Sequence, residues 1–269
     1  MNRSKIILAA ALACALAACA AMFAGCAEQN GQDQPQYADE AFMQSLAKGY
    51  EARDALVEKS TKTDKSTEYY EKLVDAELNQ VEKYQSSQFE DSKLQENAIA
   101  YINSLKDQRE AAELCATDNE KFQQDWQKAY DKRTTLLKTF VDEYGLTVSS
   151  SCQDSLDKLA SHGKKVERDN NEKSAVESLA GTINLEFTEQ YSTFSGQATV
   201  SNNTGYDFEY INFKVELFDA NGVKVETTGL YANHWLNGET IVLNCYTSQK
   251  EAPATVKIVA DGYEIADAS

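Results

Sequence analysis

From Phe42 onward, apolar residues recur at steps of three and four. Phe42, Leu46, Tyr50 and Leu56-Val57 share one face of a helix over about 38–58. Tyr70, Leu73, Leu78, Val81 and Tyr84 do the same over 66–86. Leu94, Ala98, Tyr101-Ile102, Leu105, Ala112 and Cys115 continue the pattern over 91–115. The fourth stripe is the cleanest, with Phe122, Trp126, Tyr130, Arg133, Leu137, Phe140 and Tyr144 advancing by three or four at every step. Thr117-Asp118-Asn119-Glu120 has the spacing of a capping box ahead of it, and Gly145 stands where a left-handed cap would end it. Four amphipathic helices with short polar links predict an up-and-down bundle over residues 37–146. An aromatic stripe at helical spacing is read as core rather than as a ladder for stacking a ligand. For Arg133, on the same stripe, snorkelling to the rim is favoured over a buried anion clamp.

Beyond Gly145 the apolar signal thins. A short helix over 153–161 has only Leu156 and Leu159 to bury, and the charge run from His162 to Lys173 follows it, so residues 147–180 read as a connector, with a helical form of it left open. From Thr182 the period becomes two. Ile183, Leu185 and Phe187 alternate with polar partners, as do Ile211, Phe213, Val215 and Leu217. Val223 and Val225, then Ile241, Leu243 and Cys245, then Val256, Ile258 and Ala260 repeat the alternation, with Asp219-Ala220-Asn221-Gly222 as a hairpin turn. Six or seven strands in residues 181–269 predict a β-sandwich of immunoglobulin-like outline. The fold class expected is α + β in two domains: an antiparallel helical bundle, then the sandwich.

Composition agrees with that division. The chain has two prolines, Pro35 and Pro253, so the stretch read as helices contains none. The formal net charge is −17. Nucleic acid and anionic surfaces are repelled overall, and no nucleic-acid partner is expected.

Residues 1–25 form a basic start (Arg3, Lys5), an uncharged apolar run from Ile6 to Phe23, and Ala24-Gly25 before Cys26, the layout of an export signal. An uncleaved membrane anchor is the alternative, and both place the rest of the chain outside the cytoplasm. Phe23-Ala24-Gly25-Cys26 resembles the lipobox of bacterial prolipoproteins, with Phe23 where an aliphatic residue is usual. That resemblance implies cleavage before Cys26 and diacylglycerol on its thiol, hence a lipid-anchored protein on the extracytoplasmic face of the cell membrane. Leu16-Ala17-Ala18-Cys19 fits the short pattern better, but a start at Cys19 would leave Ala20 to Phe23 as an exposed apolar segment. Removing Arg3 and Lys5 with the leader lowers the 26 basic residues to 24 against 43 acidic ones, a balance of −19. Residues 26–36 then serve as lipidated cysteine and polar tether.

Val215-Glu216-Leu217-Phe218-Asp219, Asn221-Gly222-Val223-Lys224-Val225 and Leu236-Asn237-Gly238-Glu239 resemble the FxLYD domain, a small immunoglobulin-like sandwich of bacterial envelope proteins. Val215 and Phe218 replace that family's first Phe and its Tyr, and Asn237 replaces its usual Pro. The resemblance spans roughly 181–265 and implies a fold rather than an activity.

Chemistry is sparse. His162 and His234 are the only histidines, and each is read as structural or solvent-facing. The sequence has no HExxH, no paired CxxC, no calcium loop and no glycine-rich phosphate loop, so no catalytic residue, metal or cofactor is assigned. Cys115 and Cys152 are not expected to pair. The fourth helix carries the chain about 40 Å, and the residues after it return at most ~27 Å, too far for Cα atoms that must lie within about 7 Å. Cys245 shares the phase of Ile241 and Leu243, as a core thiol would.

The function expected is that of a non-enzymatic envelope lipoprotein, anchored to the bilayer through acylated Cys26 and binding an envelope protein or acting as a scaffold. The alternative is a cell-wall glycan binder, with Tyr231 and Trp235 as the candidate ligand surface and Tyr206 and Tyr210 beside them.

Overall fold

The computed structural model describes residues 37–60 and 65–266. Five helices precede six strands. They are α1 (Asp39–Lys59), α2 (Thr67–Val81, continued by a 3₁₀ turn over Glu82–Ser86), α3 (Ser92–Glu113), α4 (Asn119–Tyr144) and α5 (Gln153–Thr182). The strands are β1 (Glu186–Gln190), β2 (Thr193–Ser201), β3 (Phe208–Phe218), β4 (Lys224–Trp235), β5 (Thr240–Thr247) and β6 (Thr255–Ile265).

Consecutive helices pack on one another from α1 to α5. Their inward stripes meet in one core where Phe42 sits edge-on to Tyr84, Phe89 and Phe140, with Tyr101 edge-on to Phe140. Asp118, not Thr117, caps α4, its carboxylate accepting from the Lys121 backbone N–H at 3.0 Å. Thr117 instead donates back to the Leu114 carbonyl. Gly145 closes α4 in the left-handed region at φ 66°, its N–H donating to the Phe140 carbonyl.

The expected connector is a helix. α5 runs unbroken for 30 residues, through the charge run. Gly163 permits this: a Cβ there would lie 2.2 Å from the Thr134 carbonyl oxygen, so α5 lies against α4 at a distance only glycine allows. At its start Leu156 is buried in the helical core, and at its end Val176, Leu179 and Ala180 are buried in the core of the strands.

The strands form two three-stranded antiparallel sheets, ordered β1-β2-β5 and β4-β3-β6. Their inner faces share one core, made by Ala198, Val200, Leu243 and Cys245 from one sheet and Ile211, Phe213, Val215, Leu217 and Leu230 from the other. The arrangement is sandwich-like. Ile183 keeps its predicted inward phase but precedes the ladder, as the C-cap of α5. β2 escaped the sequence pattern because Gly196 weakens its alternation, and its hairpin with β1 turns on Tyr191-Ser192, both at positive φ, in place of Asn-Gly. The phase predicted for Val223 and Val225 is overturned. Both are exposed, because the bulge at Leu217/Phe218 shifts the register and β4 turns Leu230, Ala232 and Trp235 inward.

Candidate functional site

β4 and β5 are edge strands of different sheets that lie side by side. Glu226 ties them together. Its carboxylate accepts from Thr247 Oγ1 at 2.6 Å and from the Ser248 backbone N–H at 3.0 Å, and these donors hold it below the usual carboxylate range although its desolvation opposes that. Between the two strands runs a groove of about 530 Å³ flanked by Tyr231 and Tyr246, with Thr227, Asn244, Lys214 and Asp261 along it. Tyr231 is 69% exposed and Tyr246 71%. Tyr231 lies across Gly229, two residues back on the same outward face, where an added Cβ would meet its hydroxyl at 2.5 Å.

Trp235 is not part of that surface. It is 1% exposed, tilted against Phe208 with ring centroids 6.5 Å apart, and its indole N–H donates to the Glu239 carbonyl at 3.0 Å. An aromatic that fills the core and satisfies its one donor inside has no face left for a ligand. Tyr206 is half-buried against the same core, and Tyr210 is marginally exposed. Tyr246 was missed in the sequence although phase held the signal, since an inward Cys245 puts the next residue outward. The Leu236-Asn237-Gly238-Glu239 stretch forms a turn docked on Asn202, whose buried amide donates to the Tyr206 and Trp235 carbonyls.

The helical core holds a second constellation, built from charges set in the apolar stripes. Glu77 is 0% exposed and Arg133 1%, and Arg133 grips the Glu77 carboxylate with both Nε (2.7 Å) and Nη2. Snorkelling of Arg133 is thereby overturned: with Glu77 opposite, a bidentate pair satisfies the guanidinium inside the bundle. Tyr101 adds its hydroxyl to Glu77 Oε2 at 2.7 Å. Burial pushes the Glu77 carboxyl up, but Arg133 and Arg53 pull harder and leave it below its ordinary value.

Arg53, 7% exposed, stands 3.7 Å from Glu77 Oε2, and its Nη1 donates to Gln108 Oε1 at 3.1 Å. Burial first, then repulsion from Arg133, pulls its guanidinium down to about 10 despite Glu77. Arg53 and Arg133 line a cleft of about 590 Å³ between α1, α2, α4 and α5, with Tyr70, Trp126 and Tyr130 on its walls. Arg53 and Glu77 were missed in the sequence. The available signal was their phase: Glu77 follows Leu73 by four, and Arg53 follows Tyr50 by three, each on a stripe otherwise apolar.

Cys26 and Cys19 lie outside the described residues. Cys115, Cys152 and Cys245 are free, and burial raises the Cys245 thiol above its ordinary value. His162 joins Asp131 at 3.0 Å beside Tyr130, and exposed His234 meets Glu209 at 3.2 Å. Among the described residues no group of three or more His, Cys, Asp or Glu could hold a metal ion, and no helix is long and apolar enough to cross a membrane. No family model matches the chain, and no curated protein matches it.

Proposed function

We propose that the chain is an extracytoplasmic lipoprotein without enzymatic activity, anchored by acylated Cys26, that presents an immunoglobulin-like sandwich of FxLYD type as an interaction head for another envelope protein. The observation that carries the binding role is the pair Tyr231 and Tyr246, exposed on adjacent edge strands and flanking a groove. Edge strands offer unpaired backbone groups, and flanking tyrosines supply apolar contact area at little entropic cost, which together suit an extended segment of a protein partner. The anchor rests on the sequence pattern at Cys26, and the acidic charge favours a basic partner. The polar groove residues Thr227 and Asn244 beside aromatic faces also suit sugars, which supports cell-wall glycan as the second reading.

A photo-reactive residue placed at Tyr231, and separately at Tyr246, tests the head in intact cells. A recurring protein adduct is expected at both positions; adducts made of wall glycan would favour the second reading, and none at either would remove the groove from the account. In parallel, Cys26→Ser is expected to move the protein from the membrane fraction to the soluble one. Release by Cys19→Ser but not by Cys26→Ser would reassign the anchor.

A further inference from the structure

The buried charges of the bundle do not balance. Arg53 and Arg133 face one carboxylate, Glu77, and Arg133 occupies both its oxygens. Among the described residues the only hydrogen bond from the Arg53 guanidinium is the one from Nη1 to Gln108, and its other N–H groups are not sealed in the core but open to the cleft that Arg53 lines. Gln108 cannot help further: its Oε1 already faces Arg53, and its Nε2 is itself a buried donor without a partner. Asp54, the acid that lines the cleft, accepts from Ser155 Oγ at 2.7 Å instead. The site therefore has one positive charge in excess, with the less tightly paired guanidinium, that of Arg53, facing a cleft rather than sealed in the core.

Its surroundings define what would balance it. Arg53 stacks 5.9 Å from the centroid of Trp126, and Tyr70 packs on Trp126 with centroids 4.8 Å apart, so apolar aromatic walls lead to the guanidinium. Lys65 and Lys158 stand at the exposed margin. On a chain of net charge −17, this cleft has the opposite sign. A volume of about 590 Å³ lies within the roughly 300–1,000 Å³ typical of small-molecule sites. A guanidinium with free N–H groups matches a planar carboxylate, and one excess charge calls for a monoanion.

We propose that this cleft binds a small organic monocarboxylate with an aromatic or flat apolar body, its carboxylate on Arg53 and its body along the cleft wall that Trp126, Tyr70 and Tyr130 form. The proposal is independent of the interaction head, since it concerns the helices and not the strands.

The test titrates the purified full chain with phenylacetate and follows Trp126 fluorescence, with core-buried Trp235 as the unchanging second emitter. Saturable binding of phenylacetate is expected, with phenylacetamide, acetate and inorganic phosphate each weaker by ~10-fold or more. Arg53→Gln is expected to abolish that preference for the acid over the amide while the thermal midpoint stays within a few degrees. Lys158→Gln, at the exposed margin, keeps the fold whatever Arg53→Gln does, and is expected to weaken phenylacetate by a factor of a few. Equal affinity for acid and amide, phosphate binding as well as phenylacetate, an unchanged preference in Arg53→Gln, or no saturation by phenylacetate up to about 10 mM would each overturn the proposal.

Discussion

Glu77 decides the electrostatics of the helical part, because it is the only acid in its buried cluster and accepts from Arg133 and Tyr101 while attracting Arg53. Neutralising it leaves two guanidiniums buried against each other, so Glu77→Gln is expected to cost about 3–5 kcal/mol, the loss seen when a buried pair loses one partner. The same change in an Arg133→Met background should cost much less, and urea unfolding of the single and double variants measures that coupling. The pH dependence has a definite sign. Glu77's folded value lies below its unfolded one, so its contribution is fully present above the unfolded carboxylate value near ~4.3 and is lost as pH falls through the folded value. Urea midpoints of wild type should therefore drop through that acid range more steeply than those of Glu77→Gln. Phase put Glu77 and Arg133 each on an apolar stripe, but their pairing was not legible in the chain, since they are 56 residues apart and each alone reads as a long side chain able to reach water. Trp235 illustrates the converse: its residue type suggests a binding surface, and only the register of β4 against β3 shows it to be core.

At the scale of elements, small residues set how closely the helices approach. Gly49 brings α1 onto the α2 backbone at Glu77, where an added Cβ would stand 3.0 Å from the Glu77 Cα, and Gly163 does the same for α5 on α4 more tightly. For Gly163 two effects oppose each other. Alanine favours an isolated helix by about 1 kcal/mol over glycine, whereas a Cβ 2.2 Å from the Thr134 carbonyl oxygen requires the two helices to separate. The obstacle is backbone and cannot rotate away, so the clash wins, and Gly163→Ala is expected to destabilise the protein by about 1–3 kcal/mol by thermal or urea unfolding. A stabilised Gly163→Ala would mean that α5 does not lie on α4 in this way. The four earlier helices were legible because large side chains mark each of their turns. Of α5 only the start, over 153–161, was legible as a helix, because its contact with α4 uses a glycine and much of its remaining length carries charges. β2 stayed hidden for a related reason, having glycine at one inward position and a tyrosine-serine turn where Asn-Gly would have signalled a hairpin.

The molecule as a whole is two apolar cores threaded by one helix. Leu156 belongs to the first core and Val176, Leu179 and Ala180 to the second, so α5 is a structural member of both rather than a tether. A boundary drawn at residue 181 from the change of period therefore cuts through the second core, because α5's last turns and Ile183 help fill it. Val176 tests this in the intact chain. It is 0% exposed among the strands, and an aspartate there would bury a charge with no partner, a change that should exceed what a small sandwich can tolerate. Trp126 and Trp235 report the two cores separately, since one lies among the helices and the other among the strands. Val176→Asp is expected to shift Trp235 emission to that of exposed indole and to remove the sheet component of the far-UV circular dichroism, while Trp126 and the signal of α1 to α4 persist. If both tryptophans became exposed together, the single helix would be coupling the two cores into one cooperative unit. If neither moved, the last turns of α5 would not be part of the second core.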